Sequence, residues 1–154
     1  MNEDQRLCFD TITSSISEER TDSHFYLQGP GGCGKTYLYK TLCHYYRGIG
    51  KTVLCVASTG IAALLLEGGS TSHTRFGIPI DLSTESVSSI KPNSLKGCFL
   101  KNVGLIIWDE VVMQHKHCFE VVHRLFCDVF SLLVSDPTLS LFAGVPAIFG
   151  GDFA

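Results

Sequence analysis

The sequence predicts an α/β fold in which a parallel sheet carries helices on both faces. Short apolar runs alternate with segments of helical periodicity along the 154 residues, the pattern of successive strands and helices in such a sheet. Glycine-rich or acidic residues follow several of these runs, where parallel strands present their ligand-binding ends. We expect residues 1–154 to form a single domain, because this length suffices for one hydrophobic core.

Local signals define the elements of the first half. Apolar residues at helical spacing predict a helix near the start, and short apolar runs predict two buried strands. Glycines at 48 and 50, and at 68 and 69, mark turns. The predicted elements are a helix over 4–16, a strand over Phe25–Leu27, a helix over 37–46, a strand over 52–56 and a helix over 61–66.

The second half begins with residues 77–94, which are rich in serine, proline and glycine and are predicted to be irregular. The apolar run 103–108 predicts a third buried strand. Apolar residues with a period of 3.6 then predict an amphipathic helix near 116–134. A fourth strand is expected near 145–149, and Pro146 must lie at its start or at a sheet edge, because proline cannot donate a ladder hydrogen bond.

Composition excludes several classes of protein. Hydrophobic residues make up 45% of the chain and charged residues 18%, which predicts a globular protein. The net charge of −3 argues against bulk electrostatic coating of nucleic acid, while local contacts on loops stay open. Seven cysteines without a C-x-x-C pair favour a reducing intracellular compartment. The sequence shows neither a signal-peptide pattern nor an apolar stretch that could cross a bilayer, so we expect no membrane partner.

A phosphate-binding loop is the most specific motif. The segment from Gly29 to Thr36 reads Gly-Pro-Gly-Gly-Cys-Gly-Lys-Thr, between a predicted strand and a predicted helix. Backbone N–H groups of such a loop surround phosphates, Lys35 reaches the β- and γ-phosphates, and the Thr36 hydroxyl binds Mg²⁺. A glycine-rich turn without a ligand is the alternative. The expected nucleotide-binding residues of the loop are Gly29, Gly31, Gly32, Cys33, Gly34, Lys35 and Thr36.

Acidic residues end two later strands. Asp109 and Glu110 follow the run 103–108, where Asp109 is expected to hold Mg²⁺ through water and Glu110 to deprotonate the attacking water. The Glu favours hydrolysis over small-molecule phosphorylation. Asp152 follows the last strand and is expected near the nucleotide, although Gly-Gly-Asp is also a common turn.

Hydroxyl, cationic and aromatic residues follow the second strand and a later loop. Such residues suit the backbone and bases of a single nucleic-acid strand. A polar loop with a core phenylalanine is the alternative interpretation. The candidate DNA-binding residues are Ser58, Thr59, Gly60, His73, Thr74, Arg75 and Phe76.

Together the motifs resemble those of the Pif-type (petite integration frequency) DNA helicases, in the branch related to Helitron transposon helicases. The resemblance implies a RecA-like P-loop NTPase fold, ATP and Mg²⁺ as ligands, single-stranded DNA as a partner, and Gln5 as the residue that reads adenine. It covers nearly the whole chain, and it is carried by the segments 2–5, 28–36, 57–63, 69–76, 106–110 and 149–153.

The resemblance also implies a second RecA-like domain, which is missing from these 154 residues, and ATP-dependent unwinding of DNA in repair, recombination and telomere maintenance. We therefore expect the 154 residues alone to bind ATP, to hydrolyse it slowly and not to unwind DNA. An inactive nucleotide-binding fragment and another P-loop phosphotransferase are the alternatives. The expected location is intracellular, with the nucleus favoured over the mitochondrion.

Overall fold

The computed structural model describes residues 1–29, 34–131, 133 and 136–152. None of the helices within these ranges has the length and apolar character needed to cross a bilayer. Short 3₁₀ helices cover Val111–Met113, Pro137–Leu139 and Leu141–Gly144. The other elements are α1 (Glu3–Ser17), β1 (His24–Gln28), α2 (Lys35–Gly48), β2 (Thr52–Ala57), α3 (Gly60–Leu64), β3 (Ser70–Thr71), α4 (Ser72–Phe76), α5 (Leu95–Leu100), β4 (Val103–Asp109), α6 (Lys116–Val129) and β5 (Ala147–Gly151).

Within the described residues, five parallel strands form one sheet in the order β1-β5-β4-β2-β3. The four predicted strands are confirmed, each with bounds within two residues of the expected ones. Pro146 lies directly before β5, as predicted, and its carbonyl accepts a hydrogen bond of 2.9 Å from the Ile106 amide. The short strand β3 and the helices α4 and α5 were not predicted, because two to six residues carry too little periodicity.

Helices cover both faces of the sheet, as the sequence predicts. Alternate side chains of β4 point to opposite faces. Leu105 and Ile107 pack with α1, α2 and α3, whereas Ile106 and Trp108 pack with α4, α5 and α6. All four side chains are fully buried, so β4 is the central strand of both cores.

Helix α6 is shorter than predicted. It ends at Val129, whereas the apolar periodicity indicated a helix to 134. The Ser131 hydroxyl donates a 3.0 Å hydrogen bond to the Asp128 carbonyl just beyond the helix. Leu133, expected on the buried face, is 64% exposed beyond the helix.

The segment 77–94 contains no helix or strand, as predicted, and α6 holds it in place. The Arg124 guanidinium donates hydrogen bonds of 2.7 Å to the carbonyls of Thr84 and Ser86. The Ser89 amide donates to the Gly77 carbonyl at 2.9 Å. The polar face of α6 is therefore partly covered by this segment.

Candidate active site

The sheet brings the predicted motifs together at the carboxyl ends of its strands. Gln28 at the end of β1 pairs with Gly151 at the end of β5, and Ala57 at the end of β2 pairs with Asp109 at the end of β4. The Gly29 amide donates to the Gly151 carbonyl at 3.3 Å, which continues the ladder into the phosphate-loop segment. The segments that follow these four strands therefore begin at one edge of the sheet.

The described part of the phosphate-loop segment is built around the start of α2. Gly34 is the N-cap of α2 with φ +92°, and a Cβ there would collide with the Gln5 side chain, so glycine is needed. Lys35 begins the helix, and its Nζ donates to the Gly29 carbonyl. Thr36 is half-buried in the first turn. The predicted nucleotide ligands Gly31, Gly32 and Cys33 lie outside the described residues.

Gln5 borders a cavity between α1 and the start of α2. Its Oε1 accepts from the Asn2 amide at 3.1 Å, and the Asn2 side chain accepts from the Gln5 amide at 2.8 Å, which together form a capping box. Its Nε2 donates to the Gly34 carbonyl at 3.3 Å. The cavity has a volume of about 240 Å³ and is lined by Asp4, Gln5, Cys8, Leu27, Gln28, Gly29, Gly34, Lys35 and Leu38.

Tyr39 on α2 orients Asp109. Its hydroxyl donates a 2.9 Å hydrogen bond to Asp109 Oδ1, and both side chains are buried. Gly150 on β5 makes room for the pair, because a Cβ there would lie 2.7 Å from Asp109 Oδ1 and would collide with the Tyr39 hydroxyl. The helix that follows the phosphate loop thus fixes the carboxylate at the end of β4.

Glu110 and Asp152 lie near Tyr26 at the same edge. Burial raises the pKa of the Tyr26 phenol, and the negative charges of Asp152 and Glu110 raise it further. Glu110 has a left-handed backbone, φ 56°, which is unusual for a residue with a side chain. The Ser58 hydroxyl donates to the Glu110 carbonyl at 2.9 Å, which links the segment after β2 to the acidic pair.

Gln114 joins three elements behind this edge. Its Oε1 accepts from the Ser72 hydroxyl on α4 at 2.7 Å and from the Trp108 indole on β4 at 3.3 Å. Its Nε2 contacts the Cys118 sulfur on α6 at 3.1 Å. One amide therefore ties the helix that carries His73 to the strand that carries Asp109.

Six of the seven candidate DNA-binding residues lie in two segments and are exposed or half-buried. Thr59 caps α3, and its hydroxyl accepts from the Ala62 amide at 3.2 Å. The Ala57–Thr71 pairing of β2 and β3 brings the segments 58–60 and 73–75 to the same edge of the sheet. The exposed members are Thr59, Gly60 and Thr74, and the half-buried ones are Ser58, His73 and Arg75.

Phe76 is a correction to the prediction. It was assigned to base stacking, but its ring is fully buried and packs against Trp108 and Phe126 with centroid distances of 5.6 and 6.0 Å. Stacking on a base needs an exposed ring face. The alternative interpretation, a core phenylalanine next to a polar loop, is the one that the structure supports.

Sequence reasoning missed several contacts that support the site. Asn2 and Gln5 have the spacing of a capping box, which could have been recognised. Lys35 and Tyr39 are four residues apart in one helix, so a shared face was foreseeable. The contacts of Gln114 carry no local signal, because its partners Ser72 and Trp108 lie in other elements.

The parallel sheet, the glycine-capped α2 and the acidic residues at neighbouring strand ends define a P-loop NTPase domain of RecA-like α/β fold. The sequence model described as PIF1-like helicase matches residues 1–154. The chain therefore belongs to the PIF1-like helicase family.

Individual proteins agree with this assignment. The chain is 29% identical over 136 residues to the ATP-dependent DNA helicase Pif1 of Psychrobacter sp., which aligns 87% of the chain with 20% of the relative. It is 32% identical to the ATP-dependent DNA helicase PIF1 of Trypanosoma brucei brucei over 83% of the chain and 12% of the relative. The chain thus spans a fifth or less of these two relatives.

Solved Pif1 structures have the same fold. The Bacteroides Pif1 helicase in complex with ADP-AlF3 and ssDNA superposes with a TM-score of 0.74 at 29% identity, covering 94% of this chain and 31% of that one. The Candida albicans Pif1 helicase gives a TM-score of 0.71 at 26% identity, covering 99% of this chain and 32% of that one. The chain corresponds to about a third of each structure.

Proposed function

We propose that this chain is the ATP-binding motor domain of a DNA helicase, which binds ATP with Mg²⁺, hydrolyses it and contacts single-stranded DNA. The observation that carries the proposal is the meeting of Lys35, Asp109 and Glu110 at one edge of the sheet, with Ser58 bonded to the Glu110 carbonyl. Family membership and the Bacteroides Pif1 complex with ADP-AlF3 and ssDNA support it.

The residues at the edge suit a nucleoside triphosphate. Lys35 already donates to a carbonyl oxygen, and phosphate oxygens are stronger acceptors for its ammonium group. The apolar side chains of Cys8, Leu27 and Leu38 border the cavity beside Gln5, which suits the flat face of a base. We propose that the Gln5 amide exchanges its Gly34 contact for the adenine edge when nucleotide binds.

The donor set also fits Mg²⁺. Asp109 and Thr36 offer carboxylate and hydroxyl oxygens, the ligand type that Mg²⁺ prefers. Gly150 leaves the space next to Asp109 Oδ1 free of a side chain, and Tyr39 holds that oxygen in place. Bound Mg²⁺ would neutralise phosphate charge at these oxygens.

Glu110 is the proposed general base. Its carboxylate accepts a proton from the attacking water, while Lys35 binds the phosphate end of the substrate, and Asp152 lies near the nucleotide. The link from Ser58 to the Glu110 carbonyl gives DNA bound at 58–60 a direct route to the orientation of that base. We therefore propose that single-stranded DNA stimulates hydrolysis through Ser58.

For the complete protein we propose ATP-dependent unwinding in DNA repair, recombination and telomere maintenance in the nucleus. The support is the family resemblance, since the chain spans only part of its relatives. A second RecA-like domain that completes the ATP cleft belongs to the same proposal. An absent arginine finger slows related enzymes by about 10³–10⁵, so we expect slow hydrolysis by the 154-residue chain alone.

Titration with a fluorescent ATP analogue tests nucleotide binding. We expect the unmodified chain and Lys40→Ala to bind it, because Lys40 is exposed on α2 away from the loop, and Lys35→Ala to lose binding. Binding of equal strength by Lys35→Ala would refute the assignment of the site.

Phosphate release with and without oligothymidylate tests the chemistry. Glu110→Gln should bind the analogue normally and release no phosphate above background, whereas Ser58→Ala should hydrolyse at the basal rate but respond less to DNA. Phosphate release by Glu110→Gln at the normal rate excludes Glu110 as the base. Strand separation by the 154 residues alone would contradict the expected need for a second domain.

A further inference from the structure

A second cavity lies away from the nucleotide site, between α4, α5 and the segment that precedes α5. Its volume is about 210 Å³. It shares no lining residue with the cavity beside Gln5 and Lys35. Its lining residues are Ser70, Thr74, Arg75, Ile90, Lys96, Phe99 and Leu100.

The cavity is cationic. Arg75 and Lys96 line it, and no carboxylate does. Arg75 Nε is buried, and among the described residues it has no hydrogen-bond partner. Neither cation forms an ion pair in the described part of the chain. A buried guanidinium N–H without an acceptor is unfavourable, and an anion held in the cavity beside Arg75 would offset this cost by its charge.

Hydroxyl groups and an aromatic ring complete the cavity. Thr74 Oγ1 accepts from the Thr71 hydroxyl at 2.9 Å, which leaves its own hydrogen free to donate to a ligand. Ile90 and Leu100 are buried and form an apolar floor, while Phe99 on α5 is 43% exposed. Cations, a hydroxyl and an exposed ring together match a phosphodiester with its neighbouring base.

We propose that this cavity binds one phosphodiester of single-stranded DNA, with Arg75 and Lys96 on the phosphate and Phe99 stacked on the adjacent base. The inference rests on the proposed function, because it extends the DNA contact from segments 58–60 and 73–75 onto α5. It assigns a binding role to Lys96 and Phe99, which no sequence motif indicated, and it replaces buried Phe76 as the stacking ring.

The test measures the affinity of the 154-residue chain for fluorescent oligothymidylate by anisotropy over a series of salt concentrations. Lys96→Ala removes one phosphate contact, so the slope of log K against log salt should become shallower by about 0.7. Phe99→Ala removes the ring on which a base stacks and should weaken binding roughly 5- to 150-fold. Lys91→Ala is the matched control, because Lys91 is an exposed neighbouring lysine outside the cavity lining. Its slope of log K against log salt should be steeper than the slope of Lys96→Ala.

Three results would overturn the inference: unchanged affinity and slope in Lys96→Ala, an equal effect of Lys91→Ala, or no DNA binding by the unmodified chain. Inorganic phosphate that binds the unmodified chain but not Lys96→Ala, without any change in DNA affinity, would show a free-anion site instead. The ATP analogue is titrated in parallel, and both cavity variants should bind it normally. Normal analogue binding by Lys35→Ala would refute the nucleotide site but not the DNA-binding cavity, because the cavity is tested by the salt dependence of DNA binding.

Discussion

Replacing Tyr39 by phenylalanine should destabilise the domain, because it removes the hydroxyl that holds Asp109. The two side chains are 1% and 9% exposed, and the hydroxyl lies 2.9 Å from Oδ1. A hydrogen bond to a charged group contributes about 1.5–3 kcal/mol, and burial prevents water from replacing the donor. We therefore expect the free energy of unfolding to fall by about 1.5–3 kcal/mol, or the Tm by roughly 3–12 °C.

Urea denaturation followed by circular dichroism measures this loss. Tyr37→Phe is the matched control, since Tyr37 lies on the same helix but is 51% exposed, and it should change stability by less than about 0.5 kcal/mol. A double-mutant cycle with Asp109→Ala should show coupling above the roughly 0.3–0.5 kcal/mol scatter of independent sites. Additive effects, or a Tyr39→Phe variant as stable as the unmodified chain, would refute the reasoning.

Three further predictions concern other contacts. Gly150→Ala should lower stability by about 1–3 kcal/mol in urea and weaken binding of the ATP analogue, because its Cβ displaces the Tyr39 hydroxyl; unchanged values would contradict this. Burial lowers the pKa of His123, whose Nδ1 accepts from the Phe142 amide at 3.0 Å, so stability should fall as the pH drops below about 6.5. His123→Asn, which keeps a hydrogen-bond acceptor, should lose less stability on acidification than the unmodified chain. An equal loss in the two proteins would show that His123 does not cause the pH dependence. Phe76→Leu should lower the free energy of unfolding, measured in urea, by about 1–2 kcal/mol and leave the affinity for oligothymidylate unchanged. Weaker DNA binding without a loss of stability would show that Phe76 contacts DNA after all.

The strands and α2 were predictable because their signals are local. The run 103–108 is mostly apolar and stops at Asp109. The same pattern therefore predicts both that the strand is buried and where its carboxyl end lies. The parallel topology then places Asp109 beside the ends of its neighbours. The edge where the site forms therefore follows from pattern and topology alone.

The missed features depend on contacts between distant residues. Tyr39 and Asp109 are 70 positions apart, and no periodicity connects them. The ring of Phe76 lies in a polar segment, and its burial is decided by how α4 packs on Trp108. Helix α6 ends at Val129 although the apolar pattern continues beyond it.

The bonds of Gln114 have a mechanical consequence. Because its amide holds α4, β4 and α6 at once, a displacement of β4 along its axis must carry α4 with it or break these bonds. The helix that carries His73 and Arg75 therefore moves with the strand that carries Asp109. A shift of Asp109 at the proposed phosphate site would then be shared by the proposed DNA contacts on α4, as long as the Gln114 bonds hold.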